Sequence, residues 1–494
     1  MERSRTEYSA INTSVAVISR ITAILMGFVT RVVFTRMLNE NYVGVNGLFT
    51  ELGVGTAITY ALYRPIAEKD NLRQQQLMRL FCTFYRGTAL CVAALGMLLL
   101  PFLDTLMKSR PDVEHLTLIY LMYLADSVLS YLLVYKRTLI EAHQKNYVVL
   151  LYQTAFLVLQ DVLQIVALVV TRNFILFLAL KIICTVLTNI LISLKADRLY
   201  PYLREPCREE LPQEERREIF KNIRAMMMHK LGLVAVNNTD NLLISAFVGV
   251  ASVGIYSNYY LLIGSVRQVL DQVFQGITAS VGNLGVMGGK DRMRKVFETA
   301  FFIGQWMYGF AAICLYELLN PFVELAFGGN YVFERRIVLI LCINFFVTGT
   351  RRATLTFRDS MGLFWHDRYK ALAEAGCNLV FSILLVLQFD VFGVFLGTLL
   401  SALVTSVWIE PFVLYRKGLK APVLPFFGKY ACYTLFVAVA WGITDRLCGF
   451  VTGTPVVQIV CRLLICVAVP NLLWLLLYHR TEEWRATWQS MEKV

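Results

Sequence analysis

Apolar runs of about 20 residues, separated by short polar corners, recur along the whole chain; that is the length of a helix crossing a hydrocarbon core, with no period-two alternation of strands. They predict about fourteen transmembrane helices, over 14–36, 43–64, 80–103, 116–137, 147–171, 173–195, 226–248, 253–278, 297–320, 335–357, 370–389, 391–415, 426–448 and 455–478. The expected fold class is therefore all-α, a polytopic membrane protein. The polar start, Met1 to Asn12, leads into a span longer than a signal-peptide core and without a small-residue cleavage site, so the first helix is expected to stay uncleaved.

Composition agrees. Over 494 residues, 57% are hydrophobic and only 17% charged, and mean hydropathy is +0.57, too apolar for an ordinary soluble domain. The net charge of +12 comes in short clusters between apolar runs rather than as one basic face, which argues against nucleic acid as a partner. Eleven cysteines fall mostly inside the spans and form no CxxC, so they read as small buried hydrophobes.

Lys and Arg settle the expected orientation. They concentrate at the N-terminus, in the even-numbered loops and at the C-terminus, so both termini are expected in the cytoplasm. The longest such segment carries Pro201, Pro206 and Pro212 and the run Glu214, Glu215, Arg216, Arg217, Glu218, and reads as a hinge. The expected organisation is an N-lobe over 1–196, a cytoplasmic linker over 197–225, a C-lobe over 226–415, and two extra spans with a cytoplasmic tail over 416–494. The first outside corner, Tyr42-Val43-Gly44-Val45-Asn46-Gly47-Leu48-Phe49, aligns with Ser252-Val253-Gly254-Ile255-Tyr256-Ser257-Asn258-Tyr259. Six spans separate the two, the arrangement of a parallel repeat of two six-helix lobes, which in transporters places the substrate path at the repeat interface.

Charges at membrane depth are costly and normally face protein or a watery cavity. Span 1 carries Arg20, Gly27 and Arg31 in one stripe. Further cations are Lys181, Arg267, Arg351 and Arg352; carboxylates are Glu51, Asp126, Asp161, Asp240 and Asp271. Gln153, Gln160 and Gln164 make one polar face of span 5 beside Asp161. The bland readings are specific. Arg20 and Arg36 sit near span ends, where snorkelling explains them; Arg267 and Asp271, at i and i+4, suit a structural ion pair; each aspartate could bond a neighbouring helix.

No enzyme motif competes. Gly285-Val286-Met287-Gly288-Gly289-Lys290-Asp291 has the wrong spacing for a phosphate loop and puts Asp291 where magnesium needs Ser or Thr. GxSxG, HExxH and CxxC are absent, the five histidines make no ligand-spaced pair, and no outside loop exceeds about 15 residues. No catalytic residue, metal or cofactor is expected.

The sequence resembles the Wzx-type polysaccharide flippases of the multidrug, oligosaccharidyl-lipid and polysaccharide exporter superfamily. The resemblance rests on Asn12, Arg31, Thr35-Arg36-Met37-Leu38, Gly44, Gly47, Leu48 and Phe49, and on Asp240-Asn241-Leu242-Leu243-Ile244-Ser245, Gly249 and the Val253 to Tyr259 corner. It implies two lobes around a cavity that opens alternately to either side of a bacterial cytoplasmic membrane and moves a polyprenyl-pyrophosphate-linked oligosaccharide outward. It implies Arg31, Arg267, Arg20 and Lys181 as pyrophosphate ligands, since arginines hold phosphates through charge-assisted bonds. Gln153, Gln160, Gln164 and Tyr60 would line the sugar path. Asp161, Asp126, Asp240, Asp271 and Glu51 are the candidates for ion coupling, and a polysaccharide polymerase and glycosyltransferases are the implied partners. The dense charge cluster expected of the lipid II flippase branch near the start of span 1 is missing, which favours a capsular, exo- or teichoic-type glycan over a peptidoglycan precursor. Two other readings stay open: a cation-coupled multidrug exporter of the same superfamily, and a membrane scaffold for glycan assembly that transports nothing.

Overall fold

The computed structural model describes residues 5–50, 62, 65–66, 68, 70–103, 107–108, 111–143, 145–205, 211–214, 217, 239–287, 290–361, 363 and 369–485. Glu51, Tyr60, most of the second span and the start of the seventh lie outside them. Every long element described is a helix, and nine of these are long and apolar enough to cross a membrane, or ten if one bent pair is counted as a single span. The chain divides into two compact units, Met1–Val234 and Ala235–Val494.

Unit 1 contains α1 (Arg5–Met37), α2 (Glu40–Thr50), α3 (Asn71–Leu99), α4 (Leu116–Tyr131), α5 (Val134–Ala142), α6 (Asn146–Thr171) and α7 (Phe174–Leu199). Between α4 and α5 the axis bends by 42°, at Leu133, whose φ is 67°. Lipid is as apolar as a protein core, so packing and polar ties hold these helices together more than water exclusion does. α1 lies along α6. At one end Asn12 Oδ1 accepts the Tyr147 N–H at 2.8 Å, satisfying an amide that the first turn of α6 leaves without an intrahelical partner. At the other end Phe34 meets Phe174 and Phe177 with ring centroids 5.5 and 5.1 Å away. A buried cluster including Phe81, Tyr85, Leu139, Ile140, Val149 and Ala196 fills the end nearer Asn12.

Unit 2 contains a short apolar helix over Thr239–Val248 that ends in a π-helical turn. It continues with α8 (Val250–Met287), α9 (Lys290–Phe327), α10 (Arg335–Thr350), α11 (Arg352–Ser360), α12 (Lys370–Val404), α13 (Ser406–Val413), α14 (Leu424–Gly449) and α15 (Pro455–Tyr478). α12 is a helical hairpin. Its backbone leaves the helix at Asp390, with φ 50° and ψ −134°, between the two spans expected at 370–389 and 391–415. The arms touch: Ser382 Oγ donates to the Val394 carbonyl at 3.1 Å. A Cβ at Gly397 would lie 2.5 Å from the Ser382 backbone nitrogen, and one at Gly393 2.1 Å from the Leu385 carbonyl oxygen, so only glycine permits this approach. The last two spans are fastened to α9. Trp474 is 1% exposed, with its ring 5.3 Å from Phe302 and 4.6 Å from Phe436, and Trp306 Nε1 donates to Asn471 Oδ1 at 2.8 Å.

Both corners of the sequence repeat begin a helix with a buried valine, Val43 in α2 and Val253 in α8.

Candidate functional site

In unit 1 the guanidinium of Arg31 lies over the Phe34 ring, 5.9 Å from its centroid, within cation–π range. The same ring is wedged against α7, so α1 carries a cation on a rigid aromatic base. Arg20 is exposed on the surface of the unit, where its long stem suits snorkelling. Lys181 Nζ is 3.2 Å from Asp126 Oδ2 and 5.1 Å from the Tyr123 ring centroid. The expected anion ligand and the expected coupling carboxylate are thus each other's counter-ions.

The polar face of α6 splits. Asp161 is buried, beside Thr30 of α1. Gln160 donates to Gln164 at 3.3 Å, and Gln164, 2% exposed, donates to the Phe177 carbonyl of α7 at 2.9 Å. Gln164 is a helix–helix tie rather than a cavity-lining group, because an amide at this depth gains most by meeting a carbonyl that lipid cannot satisfy. Gln153 is half-buried.

In unit 2 the i and i+4 reading of Arg267 with Asp271 gives way to another pairing. Asp271 accepts from Arg352 Nη2 at 3.1 Å and from the Tyr308 hydroxyl at 2.7 Å, with Arg352 Nε 3.0 Å from its other oxygen. Arg352 reaches Asp271 bidentately, the stronger form of an arginine–carboxylate pair. Arg267, left without an ion pair among the described residues, has its guanidinium 5.8 Å from the Phe345 centroid, and its buried Nε makes no hydrogen bond. Arg31 and Arg267 therefore each hold a guanidinium over a phenylalanine ring.

Arg351 lies at the centre of a closed network. Its Nε and Nη2 donate to Glu410 at 3.1 and 2.7 Å, and its Nη1 to Glu374 at 3.1 Å. Lys370 also donates to Glu410, and Ser406 to Glu374 at 2.6 Å. Two cations and two carboxylates cancel, and Glu410 is fully buried. Glu374 and Glu410 escaped the sequence reading although Glu410 stands inside the apolar span 391–415, the same signal that marked the aspartates.

Asp240 stands on the short helix over Thr239–Val248. It is buried and accepts from Thr398 Oγ1 at 3.0 Å; Thr398 accepts from Asn378 Nδ2 at 3.1 Å. The buried Asn378 Oδ1 makes no hydrogen bond, the Val394 carbonyl accepts from Ser382, and the single Thr398 hydroxyl hydrogen is shared between that carbonyl and Asp240. Asp240, Thr398, Asn378 and Val394 are thus joined by one chain of hydrogen bonds that ties the short helix over Thr239–Val248 to the α12 hairpin. Asn378 and Ser382, at i and i+4, were legible as one polar helix face but went unmarked because neither is charged. No group of three or more His, Cys, Asp or Glu that could hold a metal ion occurs among the described residues.

Comparison with known proteins places the fold. A lipid II flippase, MurJ, in its inward closed conformation is similar with a TM-score of 0.67 at 12% identity, covering 95% of this chain and 99% of that one. An inward-facing multidrug resistance MATE family transporter of the MOP superfamily is similar with a TM-score of 0.55 at 15% identity, over 82% of this chain and 98% of that one. No curated protein matches the chain. The fold is that of these multi-pass membrane transporters. The family model described as polysaccharide biosynthesis protein matches residues 9–276, more than half of the sequence, and the chain belongs to that family.

Proposed function

We propose that this protein is a flippase that moves a polyprenyl-pyrophosphate-linked oligosaccharide from the cytoplasmic to the outer leaflet of a bacterial cytoplasmic membrane by alternating access. Both termini are then cytoplasmic, and a polymerase and glycosyltransferases act before and after it. The observation that carries this reading is membership of the polysaccharide biosynthesis family; Arg31 and Arg267, each with its guanidinium over a phenylalanine ring, support it. An arginine in a low-dielectric setting suits a pyrophosphate, whose oxygens accept charge-assisted, often bidentate bonds. Arg20 and Lys181 are weaker candidates, the first exposed and the second neutralised by Asp126. An inside-negative potential favours outward movement of an anion by roughly 2.3 kcal/mol per charge per 100 mV. Asp240, with Thr398 and Asn378, is the proposed coupling site for a cation that biases the transition.

Flipping of a fluorescent polyprenyl-pyrophosphate oligosaccharide in proteoliposomes tests this. The wild type should flip it, and Arg31→Ala and Arg267→Ala should each abolish most of the activity at matched incorporation. Wild-type activity unaffected by either change removes the arginine assignment. No activity with several glycans under an imposed potential removes the flippase reading.

A further inference from the structure

The geometry points to a second lipid-binding site, an anionic phospholipid clamp on unit 1 at the end of α6 and α7 that holds their N-terminal and C-terminal turns respectively. A cavity of about 370 Å³ is lined there by Lys145, Tyr147, Val148, Leu151, Tyr152, Lys195 and Leu199, within the roughly 300–1,000 Å³ typical of small-ligand sites. Lys145 precedes α6 and Lys195 stands in the last turns of α7, so both are at the membrane-interface level, on the side of Asn12 and hence of the N-terminus. Neither lysine has a carboxylate within ion-pair distance among the described residues; the acids nearby are taken, Asp197 by Lys136 at 2.7 Å and Glu141 by Arg137 at 2.6 Å. The excess charge is therefore two positive.

The rest of the lining decides what fits. Leu151 is 53% exposed on a transmembrane helix and faces hydrocarbon, while Tyr147 and Tyr152 bring amphipathic rings to the interface. One wall is thus acyl-chain surface and the other is the two lysine side chains, with the Lys145 ammonium 5.6 Å from the Tyr200 ring centroid. Basic pockets at the ends of transmembrane helices on the positive side take anionic lipid headgroups, and the occupant that matches both walls at once is a glycerophospholipid with a net negative headgroup. Snorkelling alone would place lysines here too, but it needs no cavity between them.

Native mass spectrometry of the purified full chain with phosphatidylglycerol and phosphatidylcholine of the same acyl chains tests the site. The wild type should retain one phosphatidylglycerol in preference to phosphatidylcholine by on the order of tenfold, Lys145→Gln with Lys195→Gln should lose that preference, and Lys145→Arg with Lys195→Arg should keep it. Val148→Phe fills the space and leaves both charges, and should also lose the bound lipid. Equal retention by the glutamine variant overturns the proposal. Loss with glutamine but not with Val148→Phe overturns it too, since the lysines then act as surface charge alone. Displacement of phosphatidylglycerol by equimolar geranylgeranyl pyrophosphate assigns the cavity to the polyprenyl substrate instead. If the glutamine variant elutes as aggregate, the arginine and Val148→Phe pair still decides.

Discussion

Unit 2 interlocks a group of buried charges, with Arg351, Lys370, Glu374 and Glu410 closing on one another and Arg352 clamping Asp271, while Arg267 stays outside the set. Unit 1 holds single pairs such as Lys181 with Asp126, each ion still 15 to 24% exposed. The stretches that carry these charges differ in the same sense: the one over Arg335–Arg358, with Arg351 and Arg352, is 61% buried inside the protein and that of α7, with Lys181, only 22%. A charge deep inside protein has no water to fall back on and must find every partner there, whereas one on a lipid-facing helix can reach toward the headgroups. Charge networks in unit 2 are therefore part of its packing, and charge pairs in unit 1 are accessories to it.

The sharpest way to break this contrast is Glu410→Ala, which strands Arg351 and Lys370 without their shared counter-ion. It should destabilise the protein by about 3–5 kcal/mol, read as a lowered unfolding midpoint in detergent; a loss below about 1 kcal/mol would place the network on a par with a surface pair. Next in size is Gly397→Ala in the α12 hairpin. The added methyl meets the Ser382 backbone, and overpacking of this kind costs about 1–3 kcal/mol; it should also weaken any cation dependence of transport that passes through Asp240 and Thr398. In unit 1, Asp126→Asn should cost only about 1 kcal/mol or less, since Lys181 keeps a hydrogen-bond acceptor and the Tyr123 face. A cost as large as that of Glu410→Ala would erase the difference between the units.

Acid provides the smallest and most graded comparison. Burial raises the Glu483 carboxyl, but the Lys429 ammonium, hydrogen-bonded to it at 2.8 Å, lowers it further, so it lies below the usual carboxylate range. Burial pushes His143 in unit 1 below the usual imidazole value, assisted by nearby Lys145 and opposed by its bond to the Leu139 carbonyl. For both groups the folded pKa is below the unfolded one, so the stability each supplies is complete above the unfolded value and is lost as pH falls through the folded value. Titrating the unfolding midpoint downward should show the His143 loss beginning near pH 6.5 and the Glu483 loss near pH 4.3. His143→Gln should flatten the first step and Glu483→Gln the second; unchanged curves would remove these two groups as the cause.

Much of the candidate site was visible in the chain and its wiring was not. Arg31, Asp161, Arg267 and Asp240 stand out because a charge inside an apolar run is expensive wherever that run folds. Arg31 needed no tertiary information to meet Phe34, which is three residues on along the same helix. Asp271 shows the limit: spacing favoured Arg267, four residues away, but the bidentate partner is Arg352, 81 positions on. Gln164 looked like one of a lining face and proved to be tied to α7.

The sequence by itself determined that this is an all-α, multi-pass membrane protein, because lipid cannot solvate a backbone and a run of apolar residues about 20 long has few other conformations open to it. Its residues also carried the family resemblance that the polysaccharide biosynthesis match bears out. Only the tertiary structure decided which charges cancel and which polar atoms converge. Lys181 with Asp126, Arg351 with Glu410 and Asp240 with Thr398 join different helices, the last pair 158 positions apart. A helical period tells which residues share a face, and the identity of the opposing face depends on helix packing, which no local pattern encodes.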